Sequence, residues 1–328
     1  MNHGVATLRT SLMLGAGLCF LLSAEVPALC ASSGVQLIQK EDRVRVELNG
    51  QLFTEYYFTN VPRPYLYPLL GPGNLPMTRD WPMKPDTTEE HDHPHHRSFW
   101  FAHGSVNGTD LWSEGKDSGK TIHNAFLKVN SGRKTGVIQT RNTWVTKEGT
   151  ALCTDERTIT FHVPGPNDER IVDFQITLKP QQGDLTLGDT KEGTMAVRLA
   201  ETMRLKGKVG KGHIINSEGQ KDDATWGKRA KWCDYYGPVG DQTIGVAIFD
   251  TPSNPRYPTW WHVRDYGLFA ANPFGQHDFE SLKDKTAGNL VIPAGKSATF
   301  RYRFILHKGD EKAGKISEAY DSYVKGKK

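Results

Sequence analysis

The chain has 328 residues, 41 Lys and Arg against 37 Asp and Glu, and a formal net charge of +4, with a mean hydropathy of −0.55. Its basic residues are scattered among acids without the clustered face that nucleic acid requires, and past residue 31 no apolar run reaches the roughly 18 residues of a membrane span. No G-x-G-x-x-G or phosphate-loop pattern follows a strand, so no organic cofactor is expected, and with nucleic acid and membrane set aside the expected partner is a small molecule.

Residues 1–31 read as a secretory signal peptide, with Arg9 as the positive region, an apolar stretch from Ser11 to Ser23, and small residues at Ala28, Cys30 and Ala31. The expected mature part, 32–328, is a single periplasmic or secreted domain. It keeps Cys153 and Cys233, which admit either one disulfide or two free thiols. It has no C-x-x-C zinc or redox motif.

Period-two alternation begins at Arg43–Leu48, where Val44, Val46 and Leu48 oppose Arg45 and Glu47. The same pattern returns in Thr158–Val163, Val172–Leu178 and Ala298–Leu306, which predicts half-buried antiparallel strands. One helix is predicted, Glu311–Val324 capped by Asp310, with Ile316, Ala319, Tyr320 and Tyr323 forming its apolar stripe. The fold class is therefore all-β, a large antiparallel β-sandwich with one C-terminal helix. Tyr65–Asp92, rich in proline, glycine and aromatics, reads as a long functional loop.

Two segments carry candidate chemistry. Residues 89–115 hold His91, His93, His95, His96 and His103, five histidines within thirteen positions, beside Arg97 and Asp110. Histidine suits both proton transfer near neutral pH and metal binding. If the stretch is extended, His91, His93 and His95 share one face and His96 takes the other. Three readings stay open: acid/base and substrate binding, a metal site using His91, His93 or His95 with a carboxylate, and structural hydrogen bonding.

The second segment is Trp260–Gly275, in which His262, Arg264 and Tyr266 alternate onto one strand face. A weaker patch, Lys191, Glu192, Arg198 and Glu201, offers a carboxylate base. The expected site uses His95, His96 and His262 for proton transfer. Arg97 and Arg264 hold substrate oxygens, and His103, Asp110, Trp112, Trp260, Asp265 and Asn272 line the ligand. No metal is assigned. Of the aromatics, Trp112 or Trp260 is expected to face a sugar, while Trp81, Trp100, Trp261, Tyr266 and Phe274 serve the core.

The strings HPHHRSFWFAHGSVNGTDLWSE and WHVRDYGLFAANPFG resemble those of an exported bacterial family of unknown function, commonly labelled methane oxygenase PmoA, over nearly all of the mature chain. A monooxygenase subunit of that name spans the membrane several times, which this hydrophilic chain does not, so the label is set aside. The resemblance implies an accessory protein of glycan breakdown. It is also similar in pattern to the galactose-mutarotase-like supersandwich, in which a histidine acid and a glutamate base act on a sugar ring. His96 and His262 match the histidines and no glutamate is matched, which implies a sugar site rather than mutarotation itself. Epimerisation, lyase-type proton abstraction and hydrolysis all stay open. So do a non-catalytic glycan-binding module and a metal-dependent oxygenase or hydrolase.

Overall fold

Alternating apolar and polar side chains build two large antiparallel sheets, because each strand can bury one face only by laying it against another sheet. The computed structural model describes residues 1–7 and 33–326. The expected signal peptide falls mostly outside the described residues. The chain divides into Met1–Ala31 and Ser32–Lys328, and the strands and helices of the described residues all belong to the second unit.

The first strands are β1 (Val35–Gln39), β2 (Arg43–Leu48), β3 (Gln51–Tyr57), β4 (Tyr65–Leu66) and β5 (Phe99–His103). A meander of long strands comes next: β6 (Lys120–Asn130), β7 (Thr135–Val145), β8 (Ala151–His162) and β9 (Arg170–Pro180). Then come β10 (Leu185–Leu187), β11 (Gly193–Arg198), β12 (His213–Asn216), β13 (Trp232–Val239) and β14 (Gln242–Asp250). The chain ends with β15 (Trp260–Val263), β16 (Leu268–Asn272), β17 (Leu290–Ile292) and β18 (Ala298–Lys308). One eight-stranded sheet has the order β1-β2-β3-β4-β5-β11-β16-β15, the other the order β12-β13-β14-β18-β9-β8-β7-β6, and β10 pairs with β17.

The predicted inward residues meet between the sheets: Val44, Val46 and Leu48, Ile159 and Phe161, Val172, Phe174 and Ile176, and Phe300 and Phe304 share one core. Phe99 lies against Phe304 at 4.5 Å between ring centroids, and each such ring contributes on the order of 2 kcal/mol through burial. Among the described residues, no helix is long and apolar enough to cross a membrane.

Three expectations change. The C-terminal helix α2 spans Ile316–Lys325 rather than starting at Glu311. Gly314 packs against His307, where a Cβ would lie 2.5 Å from the ring, and Lys315 sits at φ 49°. Residues 311–315 are thus held as a turn, which Asp310 caps through the Ala313 amide at 2.9 Å. The apolar stripe stands, with Ile316, Tyr320 and Tyr323 buried. A short helix, α1 (Gln276–Glu280), was not expected. Cys153 and Cys233 are free and buried. They stand on β8 and β13, four strand steps apart, roughly 19 Å at the usual strand spacing.

The outer face of the first sheet positions the site. A cross-strand row runs Tyr57, Tyr65, Trp100, Ala196, Ala270, His262. Alternation explains it: Phe99 and Phe101 enter the intersheet core, so Trp100 points the other way. The small residues Ala102, Ala196 and Ala270 form a floor on which Trp112 and Tyr266 pack.

Candidate active site

Residues 93–96 form a turn closed by the His96 amide donating to the His93 carbonyl at 3.0 Å. Pro94 occupies the second turn position, where its fixed φ is favoured, so the stretch is not extended as the alternation reading supposed. His91 is carried away to stack on Trp81 at 3.9 Å. His93 instead stacks on His96 at 4.7 Å and on Tyr266 at 5.0 Å, while His95 stands edge-on to His96 at 4.5 Å. The loop Tyr65–Asp92 anchors this turn: Arg79 donates to the carbonyls of Asp92 and His93 at 2.7 and 2.8 Å.

The hydrogen bonds determine which nitrogen of each imidazole holds the proton. Arg198 donates from Nη1 to His96 Nδ1 at 2.8 Å. A guanidinium has no lone pair, so His96 accepts at Nδ1 and is neutral with its proton on Nε2. Burial, reinforced by Arg198 and the neighbouring His95, His93 and Arg79, keeps it well below the usual histidine range. Its Nε2–H is buried and finds no acceptor. His262 repeats the arrangement: Trp226 Nε1 donates to its Nδ1 at 3.1 Å, and burial pushes it down to about 3.

His103 is set the other way. Its Nε2 donates to the Gly188 carbonyl at 2.8 Å, which leaves Nδ1 as a buried lone pair without a donor. Burial pushes this ring down to about 4. His95 differs from all three. It is half-buried, has no hydrogen bond to either ring nitrogen among the described residues, and is pushed down to about 4 by burial, Arg63 and His93.

Asp92 is the hub of the charged frame. Arg198 donates to both of its oxygens at 2.8 Å, and Arg79 and His93 also hold it. Burial alone would raise this carboxyl, but the bond from His93 and the two guanidinia override it and keep it ionised far below the usual carboxylate range.

Several expected ligand groups are already occupied. Arg97 makes a two-pronged pair with Glu114 at 2.8 and 2.7 Å. Asp110 accepts the Trp112 and Ser113 amides at 2.8 and 3.0 Å, a turn that seats Trp112. Asn272 donates to the carbonyls of Thr190 and Lys191, both at 2.9 Å, and Asp265 pairs with Lys206 at 3.3 Å. Trp260 donates to Glu280 at 3.0 Å beneath the Arg229 guanidinium. In the weaker patch Glu201 accepts the Glu90 amide at 2.7 Å, and Glu192 pairs with Lys191 at 3.5 Å.

Others stay open. Trp112 touches Trp100 at 5.1 Å and His96 at 5.7 Å, and the indole N–H of both tryptophans is buried without an acceptor, as is the Thr194 hydroxyl. The Arg264 guanidinium has no hydrogen bond or ion pair among the described residues and lies by the rings of Trp226 and Tyr266, at 5.6 and 5.5 Å. A chain of contacts thus links His95, His96, His93, Tyr266, Arg264, Trp226 and His262. The two segments expected to converge do so. Among the described residues, no three His, Cys, Asp or Glu side chains are grouped as metal ligands would be.

Residues 43–321 match DUF6807, described as a family of unknown function. The chain belongs to that family. Its description does not bear the methane-oxygenase label that the sequence resemblance suggested. No curated protein matches the sequence. Among solved structures it is similar to a kojibiose phosphorylase from the human microbiome, at 11% identity and a TM-score of 0.29, over 64% of this chain and 24% of that one. It is also similar to an α-galactosidase from Lactobacillus brevis, at 8% identity and a TM-score of 0.38, over 84% and 39%. A third is a galactose mutarotase related enzyme from Lactobacillus acidophilus, at 9% identity and a TM-score of 0.27, over 83% and 97%. The chain thus spans well under half the length of the first two.

Sequence reasoning on this DUF6807 chain missed Arg79, Trp226 and the outward indole of Trp100, placed the Tyr266 ring in the core, and named His93 only as a possible metal ligand, whereas it stacks on His96 and Tyr266. Trp100 was findable: the centre of a Phe-Trp-Phe strand faces away from both phenylalanines. Arg79 carries no local signal, since its partner lies across a loop.

Proposed function

We propose that this protein is an exported enzyme that transfers a proton on a carbohydrate, with His95 as the proton acceptor. One observation carries the reading: among the described residues the buried N–H donors of His96, Trp100 and Trp112 have no acceptor, and the rings of His96 and Trp112 stand edge-on to the uncommitted His95 imidazole, at 4.5 and 6.4 Å. Each unsatisfied buried donor costs about 1–3 kcal/mol, and an oxygen-rich ligand with an apolar ring face relieves that cost while stacking on the indoles.

The roles follow from the lone pairs. His96 accepts a proton only by expelling Arg198, so it acts as a donor, like other neutral imidazoles that polarise a carbonyl. The guanidinium at its Nδ1 strengthens the Nε2–H through cooperativity. His262 is a second such donor. Negative charge developing on a sugar oxygen is stabilised by these fixed N–H groups, while His95 takes the proton. Abstraction of a proton beside a carbonyl, the first step of epimerisation and of lyase-type elimination, suits this set. Hydrolysis by a carboxylate pair suits it less, because Asp92 is pinned in its ionised form and Asp110 is consumed by its own turn.

Exchange of the proton beside the carbonyl of reducing and keto sugars in deuterated water, followed by proton NMR, reads the step directly. His95→Ala should slow exchange by about 100-fold or more while binding persists. The rate should stay level from neutral pH down to about 5 and fall as His95 protonates near 4. Binding without exchange on any sugar would leave a glycan-binding module in place of an enzyme. N-terminal sequencing of the mature protein checks export.

A further inference from the structure

One cation at the edge of this site, Arg264, makes no ion pair among the described residues and lies between aromatic rings. Arg79 and Arg198 are fully buried and share one carboxylate, Asp92. Among the described residues, Arg264 is half-buried and has no ion pair. Lys191, on the loop before β11, pairs there only with the half-buried Glu192. Three carboxylates lie near Arg264, yet each is engaged elsewhere. Asp223 and Asp265 both bridge Lys206, at 2.7 and 3.3 Å, and Asp222 accepts the Ile214 amide at 3.0 Å. Arg264 keeps part of its surface in water, and no N–H of its guanidinium is taken by a described residue, so an anion entering from solvent finds those donors unused.

His262, at the Arg264 end, feels only cations. Besides burial, the charged groups that act on His262 are Arg264, Lys191 and His93, and all three disfavour its protonation. A carboxylate base would not belong in such surroundings; a carboxylate ligand would. The geometry at Arg264 fits one: aromatic rings lie against the guanidinium, and its N–H edge is free for a planar, two-oxygen acceptor.

We propose that the ligand is a sugar acid whose carboxylate is held by Arg264 at the Trp226–Tyr266 end of the site, with its ring toward His95, His96 and the indoles of Trp100 and Trp112. This rests on the carbohydrate reading above and adds the substrate class to it.

Matched pairs test it: glucuronate against glucose, and galacturonate against galactose, titrated into the full chain by tryptophan fluorescence and calorimetry. The acid of each pair should bind on the order of tenfold to a hundredfold tighter than its parent. That preference should vanish in Arg264→Met, survive in part in Arg264→Lys, and shrink in high salt. Equal affinity for acid and parent overturns the carboxylate assignment and leaves the sugar site standing. A preference that survives Arg264→Met overturns the role of Arg264. If Arg264→Met does not fold, a preference insensitive to salt and to Arg264→Lys does the same. Arg264-dependent binding of acetate with no binding of any sugar keeps the anion seat and ends the carbohydrate reading. Binding of none of these overturns both.

Discussion

Four of the largest fully buried side chains are tryptophans, and they fall into two pairs. Trp144 donates to Asp155 at 2.6 Å and Trp261 to the Ala230 carbonyl at 3.0 Å. Trp100 and Trp112, buried as deeply, find no acceptor among the described residues. Around Trp144 the donors converge on one acceptor, since Asp155 also takes Asn142 at 2.7 Å and Arg157 at 2.9 and 2.8 Å, although the Asn142 Oδ1 is left without a donor among the described residues. Folding alone is served by satisfied donors. On the outer face of the first sheet the chain holds unsatisfied ones rigidly in place, which is the arrangement expected where a ligand provides the missing acceptors.

The sharpest way to test this contrast is Asp155→Ala, which leaves the buried Arg157 charge without its partner. It should cost about 3–5 kcal/mol in denaturant unfolding without altering sugar affinity in the protein that stays folded. An unchanged midpoint would mean that the core pair does not hold the fold.

A smaller effect compares the indoles directly. Trp144→Phe and Trp112→Phe remove the same volume, but only the first strands an acceptor. Trp144→Phe should therefore be the more destabilising by roughly 1–3 kcal/mol, and Trp112→Phe should instead weaken ligand binding. Equal losses would show that Trp112 has found a partner.

The mildest effect is on pH dependence. His95 and His103 are depressed to about 4, His262 to about 3, and His96 lies well below its usual value. These rings bind fewer protons folded than unfolded below the ordinary histidine pKa of about 6.5. Their stabilisation is complete above that pH and is lost as pH falls toward 4. Asp250, raised to about 7 by burial, opposes them with one proton of the other sign. The melting temperature should still fall between pH 6.5 and 4.5, and less so in His262→Gln. A flat profile would contradict the neutral, buried imidazoles on which the site depends.

Much of the architecture could be read from local pattern. Arg43–Leu48 is a strand as its alternation predicts, and Val172–Leu178 lies within Arg170–Pro180, because a side-chain period of two needs no knowledge of the rest of the chain. The stripe Ile316, Tyr320, Tyr323 was equally legible. The start of that helix was not, since the contact of Gly314 with His307 is tertiary.

The sequence by itself also marked His95, His96, His262 and Arg264 as candidates, although the strand expected to carry His262, Arg264 and Tyr266 on one face ends at Val263 and Arg264 stands just beyond it. What each one does was decided only in three dimensions. Arg198 reaches His96 and Asp92 across more than 100 residues, and Trp226 reaches His262 across 36. Those partners set the tautomers of His96 and His262, and the proposed role of His95 as acceptor starts from that difference. Arg97 and Asp110 went the opposite way, spent on Glu114 and on a turn. Spacing along a chain records which face a residue takes. It does not record which hydrogen bonds are already made when the sheets close.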